Sequence, residues 1–230
     1  AKKIAKAIPE LRCFLGAGAY DHHIPAAIWD ICTRGEFLTA YTPYQAEVSQ
    51  GSLQLLYEFQ TMISELFALD VSNASLYDGA TAVAEAILMA KRLDKKARHT
   101  VLVSKGLHPH YREVLKSLLK HQHINIEELP FDHDKGVTNL DTFSKQSFEH
   151  AFAIIISQCN FFGMIEPFDE LNAWAKSQGL FSITQVHPMA LGVLKAPGEW
   201  TGNGADIAVA EGQALGIPLA SGGPYLGLMS

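Results

Sequence analysis

The stretch AFAIIISQCNFFGMIEPFDELNAWAKSQGLFSIT, residues 151–184, decides the architecture. It opens on an apolar run from Ala151 to Ile156 that Ser157 closes. A run of strand length with no polar alternation reads as a strand covered on both faces, since a sheet with one wet face would alternate. Residues 167–177 then read as a helix, and residues 180–184 return to strand character. Strand, helix and strand in succession make a crossover, and crossovers give parallel strands.

Working outward, Thr100 to Val103, Ile124 to Leu129 and Ala205 to Ala210 read as further strands, with a helix from Pro109 to Leu119. Thr138, followed three residues on by Asp141, predicts an N-cap for a helix to about Phe148. Upstream, Leu53, Leu56, Tyr57, Gln60, Ile63 and Phe67 recur at helical spacing, so a long amphipathic helix runs from Ser49 or Ser52 to about Leu69. A short apolar segment, residues 74–77, leads into Asp78-Gly79-Ala80-Thr81 and an alanine-rich helix to Leu93. The expected fold is α/β, a mostly parallel sheet with helices on both faces.

Residues 1–48 read as an irregular arm carrying one short helix from about Pro25 to Thr33, and residues 49–230 as a single large domain. No internal repeat or low-complexity linker divides them. The chain begins without methionine and stops at Gly227-Leu228-Met229-Ser230, soon after a glycine-rich turn. A piece of a longer protein is expected.

A formal net charge of -6 supplies no basic stripe for a phosphate backbone, so nucleic acid is a poor partner. Three widely spaced cysteines, Cys13, Cys32 and Cys159, do not make a secreted disulfide framework. The apolar runs are too short to span a bilayer and the start lacks a signal-peptide core. A cytoplasmic, non-membrane protein is the expectation.

Several motifs compete for the site. Gly16-Ala17-Gly18-Ala19-Tyr20-Asp21 lacks the third glycine and the surrounding βα unit of a dinucleotide fingerprint, so a close-packed turn is favoured. At Asp78-Gly79-Ala80-Thr81 free N–H groups could meet an anion, although Asp78 would occupy or repel it as a helix cap. The histidine pairs His22-His23, His108/His110 and His121/His123 lack completing ligands, so no metal is expected. No Gly-x-Ser-x-Gly elbow or phosphate-binding loop occurs, and Lys105 and Lys195 read as exposed structural lysines. Tyr41, Tyr44 and Phe37 could line a cleft or simply anchor the arm.

The stretches FLGAGAYDHHIPA (14–26), RGEFLTAYTPYQAEVSQGSLQ (34–54), NASLYDGATAVAEA (73–86) and GADIAVAEGQALGIPLASGGPYLG (204–227) carry a resemblance. Together they are similar to the N-terminal-half, subunit 1 type of decarboxylating glycine dehydrogenase, the P-protein family of the glycine cleavage system. The resemblance implies the large domain of the aspartate aminotransferase-like class, pyridoxal-phosphate-dependent transferase fold type I, with a seven-stranded sheet. A smaller C-terminal domain of the family is not in these residues. In the family's catalytic half a His-Lys-Thr turn carries pyridoxal phosphate on its lysine; here Gly212-Gln213-Ala214 stand there. An amide cannot form the imine that a primary amine forms. The aspartate expected under the pyridine nitrogen is matched by Thr184, which supplies no charge.

The resemblance therefore implies a chain that binds no cofactor and takes no catalytic role itself. Pyridoxal phosphate would sit in a catalytic partner, glycine dehydrogenase subunit 2, with glycine as substrate and the lipoyl group of H-protein as acceptor of the aminomethyl group. Tyr41, Tyr44 and Gln45 are assigned to the cleft side, with Asp78 and His187 as contributors to a degenerate pocket marked by Thr184 and Gln213. The rival reading is a regulatory or anion-binding protein that keeps the Asp78–Thr81 turn and Gly222-Gly223 for another ligand.

Overall fold

The computed structural model describes residues 17, 22–37, 41–220 and 222–230. Most of the Gly16–Asp21 segment and Cys13 lie outside them. Two helices open the described chain: the short α1 (Ala26–Cys32), with Pro25 at its N-cap, and the long α2 (Gln50–Phe67), closed by Ala68 in the left-handed region at φ 53°. Next comes α3 (Gly79–Leu93), whose Asp78 carboxylate accepts from the Thr81 N–H at 2.8 Å. The Thr81 hydroxyl in turn accepts from the Asp78 N–H at 3.1 Å, so the helix starts on a reciprocal cap.

The strands β1 (Thr100–Ser104), β2 (Asn125–Leu129), β5 (Ala151–Ser157), β6 (Phe181–Val186), β7 (Ile207–Glu211) and β8 (Gly227–Met229) form one sheet. Its order is β2-β1-β5-β6-β7-β8, parallel throughout except where β8 pairs antiparallel with β7. Between the strands run α4 (Pro109–Leu119), the short α5 (Leu140–Phe143) and α6 (Phe168–Ser177). The small antiparallel pair β3 (Phe131–Asp132) and β4 (Val137–Thr138) stands apart from the main sheet.

Alternation within each strand divides the core. Val101, Ile155, Ile183, Ile207 and Val209 face α3 and α4, while Leu102, Ile154, Ile156, Val186 and Ala208 face Leu171, Trp174 and Ala175 of α6. All seven residues of β5 are buried, as the opening stretch demands of a central strand with two covered faces. On α3 the alanines Ala82, Ala84, Ala86 and Ala90 are fully buried, and their small side chains let the helix lie close over the sheet.

Two expectations need correction. Thr138 is not a helix cap: it ends β4, its hydroxyl lies 2.6 Å from the Ser104 Oγ and its N–H donates to Glu166 at 2.7 Å. Asn139 takes the N-cap position and α5 is only four residues long. The seventh strand is also reduced, among the described residues, to the single antiparallel bridge Leu76–Gly227. Backbone bonds Asn73 N–H to Met229 O and Leu76 N–H to Gly227 O still lay residues 73–76 along the outer edge of β8.

That edge is tight. A Cβ on Gly227 would lie 2.5 Å from the Asp78 carbonyl oxygen and 2.8 Å from Leu76 Cβ, so β8 and the α3 cap meet only because residue 227 has no side chain. Gly227→Ala is expected to lower unfolding stability by about 1–3 kcal/mol in urea titration, the range of an overpacked site. Gly192→Ala, at a position with nothing within 4 Å of the added carbon, should stay within about 0.5 kcal/mol.

Candidate functional site

The carboxyl ends of β1, β5, β6 and β7 open on one edge of the sheet, where the following turns carry His108, Asn160, His187 and Gln213. In open parallel sheets ligands bind outside these ends. The N-terminus of α3 lies at the same edge: Gly79 N–H donates to the Glu211 carboxylate at 2.9 Å.

Glu211 is the centre of this edge. One of its oxygens accepts from Gly79 N–H; the other accepts from Gln213 N–H at 2.9 Å and Leu226 N–H at 3.1 Å. Three backbone donors from three segments thus converge on one carboxylate. Burial pushes the Glu211 carboxyl above its usual range; the three N–H donors oppose that shift, and Asp78 adds to it. Tyr111, reaching in from α4, has its hydroxyl pushed up by burial and by the charges of Glu211 and Asp78. The fit leaves no spare room, since a Cβ on Gly79 would lie 2.2 Å from the Tyr111 Oη and 3.0 Å from Glu211 Cβ.

The two positions expected to be degenerate are both turned inward. Gln213 is buried in a short 3-10 turn, Gln213–Leu215, and its amide donates to the Ile217 carbonyl. Thr184 is fully buried, and its hydroxyl donates across the sheet to the Ile156 carbonyl at 3.0 Å. An imine-bonded cofactor would need an amine at residue 213, a counter-charge at residue 184 and open N–H groups for its phosphate. The residues present supply neither the amine nor the counter-charge, and the Gly79 and Thr81 N–H groups are already taken, so they do not fit pyridoxal phosphate.

The other expected site residues are scattered. Asp78 is the α3 cap, its carboxylate committed to Thr81. His187 follows β6, half-buried, with its ring stacked on His22 of the N-terminal segment at 5.5 Å between centroids. Tyr41 and Tyr44 are almost wholly exposed, and Gln45 is exposed beside them. Lys105 lies 3.9 Å from Glu128, and Lys195 lies 3.0 Å from Asp169. Among the described residues no three histidine, cysteine or acidic side chains come together as a metal site.

Sequence reasoning missed a buried network at the point where the strand order reverses, between β1 and β5. Glu166 accepts from Thr138 N–H at 2.7 Å and from Asn160 Nδ2 at 2.9 Å, and Asn160 also donates to the Gly136 carbonyl. With the Ser104–Thr138 hydroxyl contact, it fastens the β3–β4 pair across this crevice. Nearby, His108 caps α4 by accepting from His110 N–H through Nδ1, and its ring meets Phe161 edge-on at 4.8 Å. The visible clue was a lone Glu-Pro between an aromatic loop and a helix, which by itself reads as a helix start.

A further surface stands uncovered. The helix α2 buries only Ile63 and Phe67, while Leu55, Tyr57 and Met62 remain exposed with Val48 ahead of them. Ala46, Gln50, Leu53, Tyr57 and Met62 line an open groove of ≈ 770 Å³ along it.

Over residues 1–230 the chain matches the family described as glycine cleavage system P-protein. It is 58% identical over 217 residues to "Probable glycine dehydrogenase (decarboxylating) subunit 1" of Coxiella burnetii, covering 94% of this chain and 49% of that protein. The protein of the same description in Legionella pneumophila is 55% identical over 219 residues, covering 95% and 48%. This chain therefore spans about half the length of these relatives. A crystal structure of glycine decarboxylase (P-protein) of the glycine cleavage system, in inhibitor-bound form, superposes with a TM-score of 0.88. It is 43% identical, covering all of this chain and 50% of that one. Sphingosine-1-phosphate lyase from Burkholderia pseudomallei, at TM-score 0.68 and 14% identity over 94% of this chain and 54% of its own, shares the fold alone.

The His22–His187 stack yields a pH test. Burial, and secondarily the neighbouring His22, hold the His187 imidazole below its ordinary range, so its protonation is opposed in the folded state. The unfolded chain then binds the extra proton first, and this contribution to stability is lost as pH falls below the ordinary histidine value. In an NMR titration of the ring protons, His22→Ala should move the His187 midpoint upward; an unmoved midpoint contradicts the stacked arrangement.

Proposed function

The chain belongs to the glycine cleavage system P-protein family, and from that premise we propose that it serves as the subunit 1 component of a decarboxylating glycine dehydrogenase. The observation that carries this reading is the pairing of 58% identity to a named subunit 1 with a sheet edge whose own residues do not fit the cofactor. The fold is of the pyridoxal-phosphate-dependent transferase type, yet the cofactor chemistry is assigned to the partner, subunit 2. Pyridoxal phosphate bound there would supply the electron sink for loss of carbon dioxide from glycine.

What this chain contributes is surface and shape. The exposed apolar face of α2, with Tyr41 and Tyr44 before it, is an area a monomer would rarely leave open. We assign it to the partner subunit, with residues 1–48 as an arm on the large domain 49–230. In that arrangement Tyr41, Tyr44 and Gln45 lie on the partner's cleft, where tyrosine rings pack and hydroxyls donate to a small polar substrate. Asp78 keeps α3 in place, and His187 orders the arm through His22. The lipoyl group of H-protein is the proposed acceptor, and the cytoplasm the proposed site of action. The rival anion-binding reading loses its motive, since Glu211 already takes the Gly79 N–H that an external anion would need.

The test is reconstitution. Subunit 2, assayed for glycine-dependent exchange of carbon dioxide in the presence of lipoylated H-protein, should gain activity on the order of a hundredfold or more when this protein is added, the cost of an incomplete site. Tyr44→Ala should reduce that gain while leaving the chain's own thermal unfolding unchanged. Equal activity of subunit 2 with and without the protein contradicts the reading.

A further inference from the structure

We propose that Glu211 is the residue that decides what the carboxyl edge of this sheet accepts: an internal anion seated at the N-terminus of α3, closing that helix start to phosphorylated ligands. The inference rests on geometry within the chain and stands whatever reaction the assembled protein performs.

A helix N-terminus presents free N–H groups and a partial positive charge, which together draw phosphates and carboxylates. At α3 two of the first three donors, the Gly79 and Thr81 N–H groups, are already answered. The Glu211 carboxylate takes the Gly79 N–H, and its second oxygen collects the Gln213 and Leu226 N–H groups, so no donor of this cluster is left for a ligand. Asp78 takes the Thr81 N–H two residues further in. An incoming phosphate would therefore have to displace one carboxylate and approach a second.

The seat is built to be close. Residue 79 tolerates no side chain beside Glu211 and Tyr111, and a Cβ on Gly212 would lie 3.0 Å from Leu226 Cδ2 and 3.1 Å from its carbonyl oxygen. Gly212 N–H donates to that same Leu226 carbonyl at 2.6 Å. Glycines at residues 79, 212 and 227 thus let the helix start, the turn after β7 and the entry to β8 draw in around one carboxylate. Glu211 lies at the end of β7, where it is fixed by strand pairing to Gly227 rather than by a flexible loop.

Two measurements test this. The full chain and its Glu211→Ala variant are titrated calorimetrically with inorganic phosphate and with pyridoxal phosphate. The native chain should show no saturable binding of either, while the folded variant gains affinity for phosphate by on the order of tenfold or more, weakened by added salt. Phosphate binding to the native chain as tight as to the variant overturns the proposal, as does a folded variant that binds neither probe. Should Glu211→Ala fail to fold, amide hydrogen exchange on the native chain decides. Protection of the Gly79, Gln213 and Leu226 amides that phosphate leaves unchanged supports the internal anion, and protection that changes on adding phosphate refutes it. Both readouts are independent of glycine turnover, so failure here and failure of reconstitution are distinguishable.

Discussion

One carboxylate joins three parts of this protein that the chain keeps far apart. Glu211 reaches Gly79 across 132 residues and Leu226 across 15, tying the end of β7 to the start of α3 and to the entry of β8. Replacing it by a neutral group would leave three backbone donors converging on nothing, at about 1–3 kcal/mol for each buried donor left without a partner. The same carboxylate sets the electrostatics of the pocket. Two unit charges 4 Å apart at an effective dielectric near 20 repel by about 4 kcal/mol, which opposes a second anion beside this carboxylate. Fold and site meet at this residue: what locks the sheet edge also takes the Gly79 N–H that an external anion would need.

The fold was legible wherever hydrophobic pattern alone decides structure. The run from Ala151 to Ser157 and the pattern from Pro109 to Leu119 match β5 and α4 residue for residue, because central strands and amphipathic helices carry their environment in their own composition. The β3–β4 pair was illegible for the opposite reason. Its two-residue strands are held by Asp132 accepting from the Asp134 and Lys135 N–H groups, by Gly136 at φ 71° and by the distant Glu166. Thr138 has the chemistry of a cap, and only Ser104, 34 residues away, shows that its hydroxyl is already engaged.

The site shows the same division. Gln213 and Thr184 stood out by what they lack, and their inward hydrogen bonds account for how each position is satisfied without a ligand. Glu211 lies just past the strand expected over Ala205 to Ala210 and drew no role of its own, since none of its three donors is visible without the tertiary structure. Tyr41 and Tyr44 were singled out as cleft residues; on this chain they face solvent, and only the proposed function assigns the cleft wall to the partner. Residues that complete another protein's site have no local signature beyond exposure of groups that usually seek cover.

The proposed function is a division of labour within a family: a chain with the fold of a pyridoxal-phosphate enzyme whose α3 N-terminus is held by its own carboxylate, paired with a chain that carries the chemistry. Its most direct test is the cofactor content of the assembled protein, read from the absorbance of pyridoxal phosphate released in alkali against the amount of each subunit. The account predicts one cofactor for each pair of unlike chains. Two per pair would place a cofactor on this chain and contradict it.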